Sequence, residues 1–203
     1  MPKTFLDKTY LTSGKEAVRD LYDEWSDSYD AEVGENGYVT PHRLAEALKT
    51  HLADQSLPIL DYGCGTGLSG VALRAAGFTT IDGMDPSSGM LEQCRAKGIY
   101  RNLVELDLEK PLPIKPRAYR VIMAIGVIST GAGPASLMDT LIERLPVGGL
   151  FGLSLNDHAL DDPDYPAGLE WLKAAGHKTL VQEYGTHLPG IDLKSMIYLF
   201  EKA

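Results

Sequence analysis

The chain is predicted to fold as an α/β protein: a seven-stranded, mostly parallel sheet ending in a C-terminal antiparallel hairpin and preceded by a helical segment. Three observations predict this. After Pro58, short apolar runs alternate with amphipathic stretches, as expected for strands joined by crossover helices. The first 57 residues instead repeat their apolar positions at helical spacing. The last two extended runs, 179–184 and 196–201, have only a loop between them, so they pair antiparallel at the sheet edge.

Each element follows from local signals. Ser13 and Glu16 form a capping-box pattern, and Val18, Leu21, Tyr22, Trp25 and Tyr29 then recur at three- and four-residue spacing as one apolar and aromatic stripe. Thr40 followed by Pro41 starts a second helix through Leu44, Ala45, Leu48 and Leu52. Two helices joined by a loop at 34–37 therefore account for residues 1–57. Strands are expected at 59–62, 79–84, 100–105, 121–125 and 150–155, with helices at 68–76, 87–97 and 135–145 between them. Gly77 and Gly98 terminate the first two of these helices, and a fourth at 169–175 is closed by Gly176.

Composition removes several function classes. The 203 residues carry 19 Lys plus Arg against 28 Asp plus Glu, a net charge of −9. General attraction to nucleic acid or to an anionic membrane surface is therefore not expected. The longest nearly unbroken apolar stretch, 121–128, falls far short of the roughly 20 residues of a spanning helix. The first twenty residues hold charges throughout and no apolar core of a secretory signal, so the expected location is cytoplasmic. Cys64 and Cys94 are isolated, which predicts neither a metal site nor a disulfide framework.

The chemistry concentrates in Leu60-Asp61-Tyr62-Gly63-Cys64-Gly65-Thr66-Gly67-Leu68-Ser69-Gly70. Glycines between a strand and a helix let a ligand approach the backbone closely. Gly65, Gly67 and Gly70 also satisfy a dinucleotide pattern, with Asp85 twenty residues beyond Gly65, so a nicotinamide or flavin oxidoreductase is one reading. Charge favours another. Asp61 would repel a pyrophosphate, and no Lys or Arg occurs from 61 to 73. A cationic ligand without phosphate suits the loop better, and S-adenosylmethionine, with its ammonium and sulfonium, is such a ligand.

At these residues the sequence resembles the class I S-adenosylmethionine-dependent methyltransferases, whose fold is Rossmann-like. Leu60 to Gly67 resembles the first family motif, and Ile81-Asp82-Gly83-Met84-Asp85-Pro86-Ser87-Ser88-Gly89-Met90-Leu91 the second. Leu106-Asp107-Leu108 resembles the third, Ile125-Gly126-Val127 the segment lining the transfer centre, and Pro146-Val147-Gly148-Gly149 the turn before the fifth strand. The resemblance implies that Asp85 takes the ribose hydroxyls, Met90 lies against the adenine and Asp107 accepts from its amino group. It also implies cofactor contacts for Asp61, Gly63, Gly65, Gly67, Pro86, Leu108 and Ile125.

A narrower likeness comes from Leu21-Tyr22-Asp23-Glu24-Trp25-Ser26-Asp27-Ser28-Tyr29-Asp30, from Gly67-Leu68-Ser69-Gly70 and from Lys97-Gly98-Ile99-Tyr100. Together these are similar to the methyltransferase-like group named for the Williams-Beuren syndrome region. That likeness implies that residues 1–57 form a lid over a cofactor-binding domain at 58–203, with Tyr29 and Trp25 covering the cofactor. The ring face of an aromatic attracts a cation, which suits a sulfonium. One departure is Arg120 after Tyr119, where many family members carry an Asp.

Methyl transfer from a sulfonium needs alignment and exclusion of water more than a catalytic triad. The expected acceptor is a small molecule. The Asn/Asp-Pro-Pro-aromatic motif of amide methylation and the Pro-Cys nucleophile of cytosine methylation are both missing, the first being replaced by Ala124-Ile125-Gly126-Val127. Among the five histidines, His158 beyond the fifth strand is the candidate base and His42 a lesser one. Cys64 reads as a small residue in a tight turn. A non-catalytic S-adenosylmethionine-binding module acting through protein contacts is the alternative, with the oxidoreductase third.

Overall fold

The computed structural model describes residues 4–203. Strands β1 (Ile59–Tyr62), β2 (Ile81–Asp85), β3 (Asn102–Glu105), β4 (Val121–Ala124), β5 (Leu150–Asn156), β6 (Lys178–Leu188) and β7 (Leu193–Glu201) form one sheet in the order β3-β2-β1-β4-β5-β7-β6. The first five run parallel. The expected hairpin is present, with β7 antiparallel between β5 and β6 and β6 at the edge. The strand order reverses at β1, which lies between β2 and β4. Such a reversal leaves a crevice beyond the carboxyl ends of the strands.

The pleat divides the core into two layers. Along β4, Val121 and Met123 face one side and Ile122 and Ala124 the other, all fully buried. Helices α7 (Leu137–Ile142) and α9 (Asp164–Ala174) pack on the face of Ile122, through Leu141, Ile142, Leu169 and Leu172. The face of Val121 receives Ala72 and Leu73 of α5 (Leu68–Ala75), together with Leu44, Ala45 and Leu48 of α4 (Thr40–His51). Helix α6 (Ser88–Ala96) packs Leu91 and Cys94 against Cys64 and Leu103.

The helical segment before β1 differs from the two helices expected. It holds α1 (Phe5–Thr9), α2 (Lys15–Trp25), α3 (Tyr29–Glu35) and then α4. Trp25 and Tyr29 thus lie on different helices, because the Ser26 and Ser28 amides bond three residues back, to the Asp23 and Trp25 carbonyls, and turn the chain. The expected cap at Ser13 is also replaced: Gly14 caps α2 at φ 91° with no side-chain bond. The reciprocal capping box sits at Thr4 and Asp7 instead. A further short helix, α8 (Asp157–Asp161), follows β5, where the Asn156 side chain accepts from the Ala159 amide at 3.0 Å. Trp25 and Val33 join Phe5, Leu6, Tyr22, Tyr29, Leu188 and Leu193 in a separate cluster over the crevice. No helix among the described residues is long and apolar enough to cross a membrane.

Candidate functional site

A cavity of about 390 Å³ lies in the crevice. That volume falls within the range of small-molecule and cofactor sites, roughly 300–1,000 Å³. Its floor is the end of β1 and the glycine loop, through Tyr62, Gly63, Cys64, Gly65 and Thr66. One wall is Asp85, Pro86, Ser87 and Met90; another is Leu106, Asp107 and Leu108; a third is Ile125, Gly126 and Val127. Tyr22, Tyr29 and Tyr38 face these from the helical segment. Burial pushes all three phenols well above their ordinary pKa, so they stay protonated and uncharged.

Asp85 is the buried anion of this cavity. Its Oδ2 accepts the Gly65 amide at 2.8 Å and its Oδ1 the Ser87 amide at 2.9 Å. Burial raises its pKa to about 6, against the opposing pull of those two bonds. The carboxylate therefore joins the glycine loop to the start of α6 and keeps lone pairs for a further donor.

Three glycines shape the loop for different reasons. Gly63 has φ 69°, and a Cβ there would meet the Val127 side chain at 2.4 Å. Gly67 has φ 95°, but its added Cβ would meet Cys94 and Tyr100, so it faces away from the cavity. Gly65, at φ 53°, has open space where a Cβ would stand. The amides of Gly63 and Cys64 donate to the Met84 carbonyl, that of Gly67 to the Cys64 carbonyl and that of Gly70 to the Tyr100 hydroxyl. With the Gly65 amide on Asp85, the amides of Gly63, Cys64, Gly65, Gly67 and Gly70 are all taken within the protein.

Of the residues singled out from sequence, the cavity brings together Tyr29, Gly63, Gly65, Asp85, Pro86, Met90, Asp107, Leu108 and Ile125. Asp61 and Gly67 do not line it. Asp61 is fully buried behind the loop, where its Oδ2 accepts from Ser69 Oγ at 2.5 Å and from the Tyr100 hydroxyl at 2.6 Å. Asp107 is exposed, bonded to the Glu109 amide and paired with Lys110 at 2.8 Å. Trp25 is 1% exposed and gives its indole hydrogen to Glu32 at 2.9 Å, beneath the lining rather than in it. His158 is exposed on α8, with its ring centroid 4.1 Å from that of Tyr10, and does not line the cavity; neither does His42. The hydrogen bond with Cys94 and burial push the Cys64 thiol far up, which fits a turn residue rather than a nucleophile.

Other residues escaped the sequence reading because their partners are distant in the chain. Asp23 on α2 accepts from Ser87 Oγ at 2.5 Å and from the Gly89 amide at 3.0 Å. Asp30 on α3 accepts from Thr66 Oγ1 at 2.5 Å and pairs with Lys97 at 2.7 Å, while Lys97 also donates to the Thr66 carbonyl. These contacts fasten α2 and α3 to α6 and to the glycine loop. The available signal was the pair of motifs that contain Asp23, Asp30 and Lys97.

The chain was compared with known proteins. A family model described as a methyltransferase domain matches residues 35–203. Methyltransferase-like protein 27 of Homo sapiens is 37% identical over 137 residues, which cover 66% of this chain and 56% of that protein. The chain spans about half the length of the curated relatives it matches, 56% of one and 47% of another. Among solved structures, the methyltransferase in a complex with the Haloferax volcanii Trm112 methyltransferase activator superposes with a TM-score of 0.66 at 16% identity. That match covers 89% of this chain and 96% of the other. The [4+2]-cyclase SpnF shares the fold at a TM-score of 0.59 and 18% identity, over 79% of this chain and 80% of its own.

Proposed function

The chain belongs to the methyltransferase domain family, and on that premise we propose that it binds S-adenosylmethionine in the cavity and methylates a small-molecule acceptor. When bound, the cofactor supplies an electrophilic methyl group, whose carbon–sulfur bond breaks as the acceptor's electron pair forms the new bond. The protein's own residues then have three tasks: binding, alignment and exclusion of water.

Asp85 carries the reading. Its buried carboxylate, bonded on one side to Gly65 and on the other to Ser87, accepts the ribose hydroxyls. Met90, Leu106 and Leu108 give the adenine an apolar slot, and Asp107 stands at its edge to accept from the amino group. Gly65, with open space above it, lets the ligand approach the backbone. Tyr22, Tyr29 and Tyr38, uncharged and half-buried, present rings toward a cationic ligand. Asp61 acts from behind, holding Ser69 and Tyr100 and through them the loop. Of the lid expected over residues 1–57, helices α1 to α3 serve in this reading, whereas α4 packs on the sheet through Leu44, Ala45 and Leu48. His158 receives no role, since it stands outside the lining.

A small acceptor is favoured by the net charge of −9 and by aromatic walls on the side facing the lid. Titration calorimetry with S-adenosylhomocysteine tests the cofactor. Binding is expected, weakened about 10- to 100-fold in Asp85→Ala, as for loss of a charge-assisted hydrogen bond. Absence of binding at millimolar ligand overturns the proposal, and unchanged affinity in Asp85→Ala removes the assignment of that residue.

A further inference from the structure

Beside the cofactor cavity lies a second chamber of about 50 Å³. Tyr22, Tyr29, Tyr38 and Gly126 line both spaces, so the two are separated only by shared walls. The smaller one is lined without a single Asp, Glu, Lys or Arg. Its polar atoms come from hydroxyls, from Asn156 and from one imidazole, that of His187. A water needs roughly 10–15 Å³ of such space, so the chamber takes a few heavy atoms: a small molecule or the end of a larger one.

The hydrogen-bond chain behind His187 has a favoured direction. Arg43 Nη1 is a donor only, and it gives a hydrogen to Ser195 Oγ at 3.1 Å. Ser195 Oγ lies 2.9 Å from Thr40 Oγ1, which lies 2.8 Å from His187 Nδ1. Ser195 and Thr40 are fully buried. If Thr40 donated to Ser195, the serine hydrogen would have no acceptor. When Ser195 donates to Thr40 and Thr40 donates to Nδ1, the one unpartnered hydrogen moves from the fully buried Ser195 to His187, which lines the chamber. The ring hydrogen then sits on Nε2, an atom with no hydrogen bond among the described residues. Thr130 Oγ1, also in the lining, lies near the Tyr165 hydroxyl, which donates to the Gly133 carbonyl and keeps a lone pair for it.

We propose that this chamber receives the reacting end of the methyl acceptor, that His187 donates its Nε2 hydrogen to that end, and that the group bound there is an uncharged one with a hydrogen-bond-accepting oxygen or nitrogen. The inference rests on the cofactor reading and specifies the acceptor side of the same site. His187 is a binding residue in this scheme, and Arg43, Ser195 and Thr40 are positioning residues that fix its tautomer. Its lone pair faces Thr40, so it cannot take a proton from the acceptor. Burial, reinforced by Arg43 and only partly offset by Asp157, lowers the pKa of the ring to about 4, which keeps a charge out of the chamber at neutral pH.

The test uses the full chain carrying isotope-labelled histidine, with His187→Gln assigning the signals. Heteronuclear spectra with S-adenosylhomocysteine present should show the Nε2-protonated tautomer at His187. Thr40→Val and Ser195→Ala should convert it to a tautomer mixture while affinity for S-adenosylhomocysteine stays within about twofold, a change of under 0.5 kcal/mol. Acetamide and acetone, as neutral probes, should shift the His187 Nε2 hydrogen and the Gly126 amide; acetate and methylammonium should not. An Nδ1-protonated ring in the unaltered protein overturns the inference. So does silence of His187 toward both neutral probes in protein that binds S-adenosylhomocysteine normally. Failure to bind S-adenosylhomocysteine at all overturns the cofactor reading and this inference with it.

Discussion

The Tyr100 hydroxyl donates to Asp61 Oδ2 at 2.6 Å, and the phenol oxygen itself accepts the Gly70 amide at 3.0 Å, so one phenol ties a buried acid to the first turn of α5. The acid is under tension of an electrostatic kind. Burial pushes Asp61 up to about 6, outweighing the bonds from Ser69 and Tyr100, and its Oδ1 has no partner among the described residues.

That shift sets a pH dependence for stability. The folded pKa is about 6 and the ordinary value 3.8, so the folded chain holds this proton more tightly than the unfolded chain does. The contribution of Asp61 to stability is therefore fully present below about pH 4 and is lost as pH rises through about 6. Asp61→Asn keeps the shape and removes the titration. Urea unfolding across this window should give the variant a shallower decline than the parent, with Asp85 still contributing its own; identical slopes would refute the assignment.

Asp85 gives the complementary prediction for ligand. Ribose hydroxyls donate to an ionised carboxylate, whose pKa without ligand is about 6. Affinity for S-adenosylhomocysteine should fall as pH is lowered through about 6, approaching tenfold per pH unit well below it. In Asp85→Asn the affinity should be weaker at pH 8 and nearly flat with pH. Calorimetry over the range distinguishes the two profiles.

Gly63 and Gly65 should respond unequally to alanine. Both hold positive φ, which costs an alanine about 1–2 kcal/mol. At Gly63 the added Cβ also meets Val127 at 2.4 Å, whereas at Gly65 it meets nothing. Gly63→Ala should therefore lose about 2–4 kcal/mol of stability, strain and overpacking together, and Gly65→Ala about half of that. Gly65→Ala should instead reduce ligand affinity, since its Cβ enters the open space above the loop. Denaturation midpoints and binding constants on the same preparations check both halves.

The lid fastening at Asp30 is expected to control local opening. Asp30 and Lys97 are partly exposed, so their ion pair contributes about 0.2–1 kcal/mol. Lys97→Met should raise amide exchange in α3 by about fivefold or less and leave the sheet unchanged. Exchange that rises equally in β4 would show that the pair supports the whole fold instead.

Sequence reading worked where chemistry is local. The strands follow from neighbouring residues, and the structure keeps them in order within a few positions, with Gly63, Gly65 and Asp85 at one cavity. It failed where a tertiary contact decides. The stripe Leu21, Trp25, Tyr29 is continuous at helical spacing, and nothing in that spacing reveals the turn at Ser26 and Ser28. Asp61 looks like a ligand-facing acid until Tyr100, 39 residues on, supplies its partner. His187 gave no signal at all, because Thr40 lies 147 residues away and Ser195 on the adjoining strand.

The bridge from Asp23 to Ser87 and Gly89 has a mechanical consequence. Ser87 also donates its amide to Asp85, so α2 grips the turn immediately beyond that carboxylate. Lifting α2 means giving up both bonds on that turn at once. One aspartate thus couples the movement of a helix before the sheet to the turn that follows the second strand.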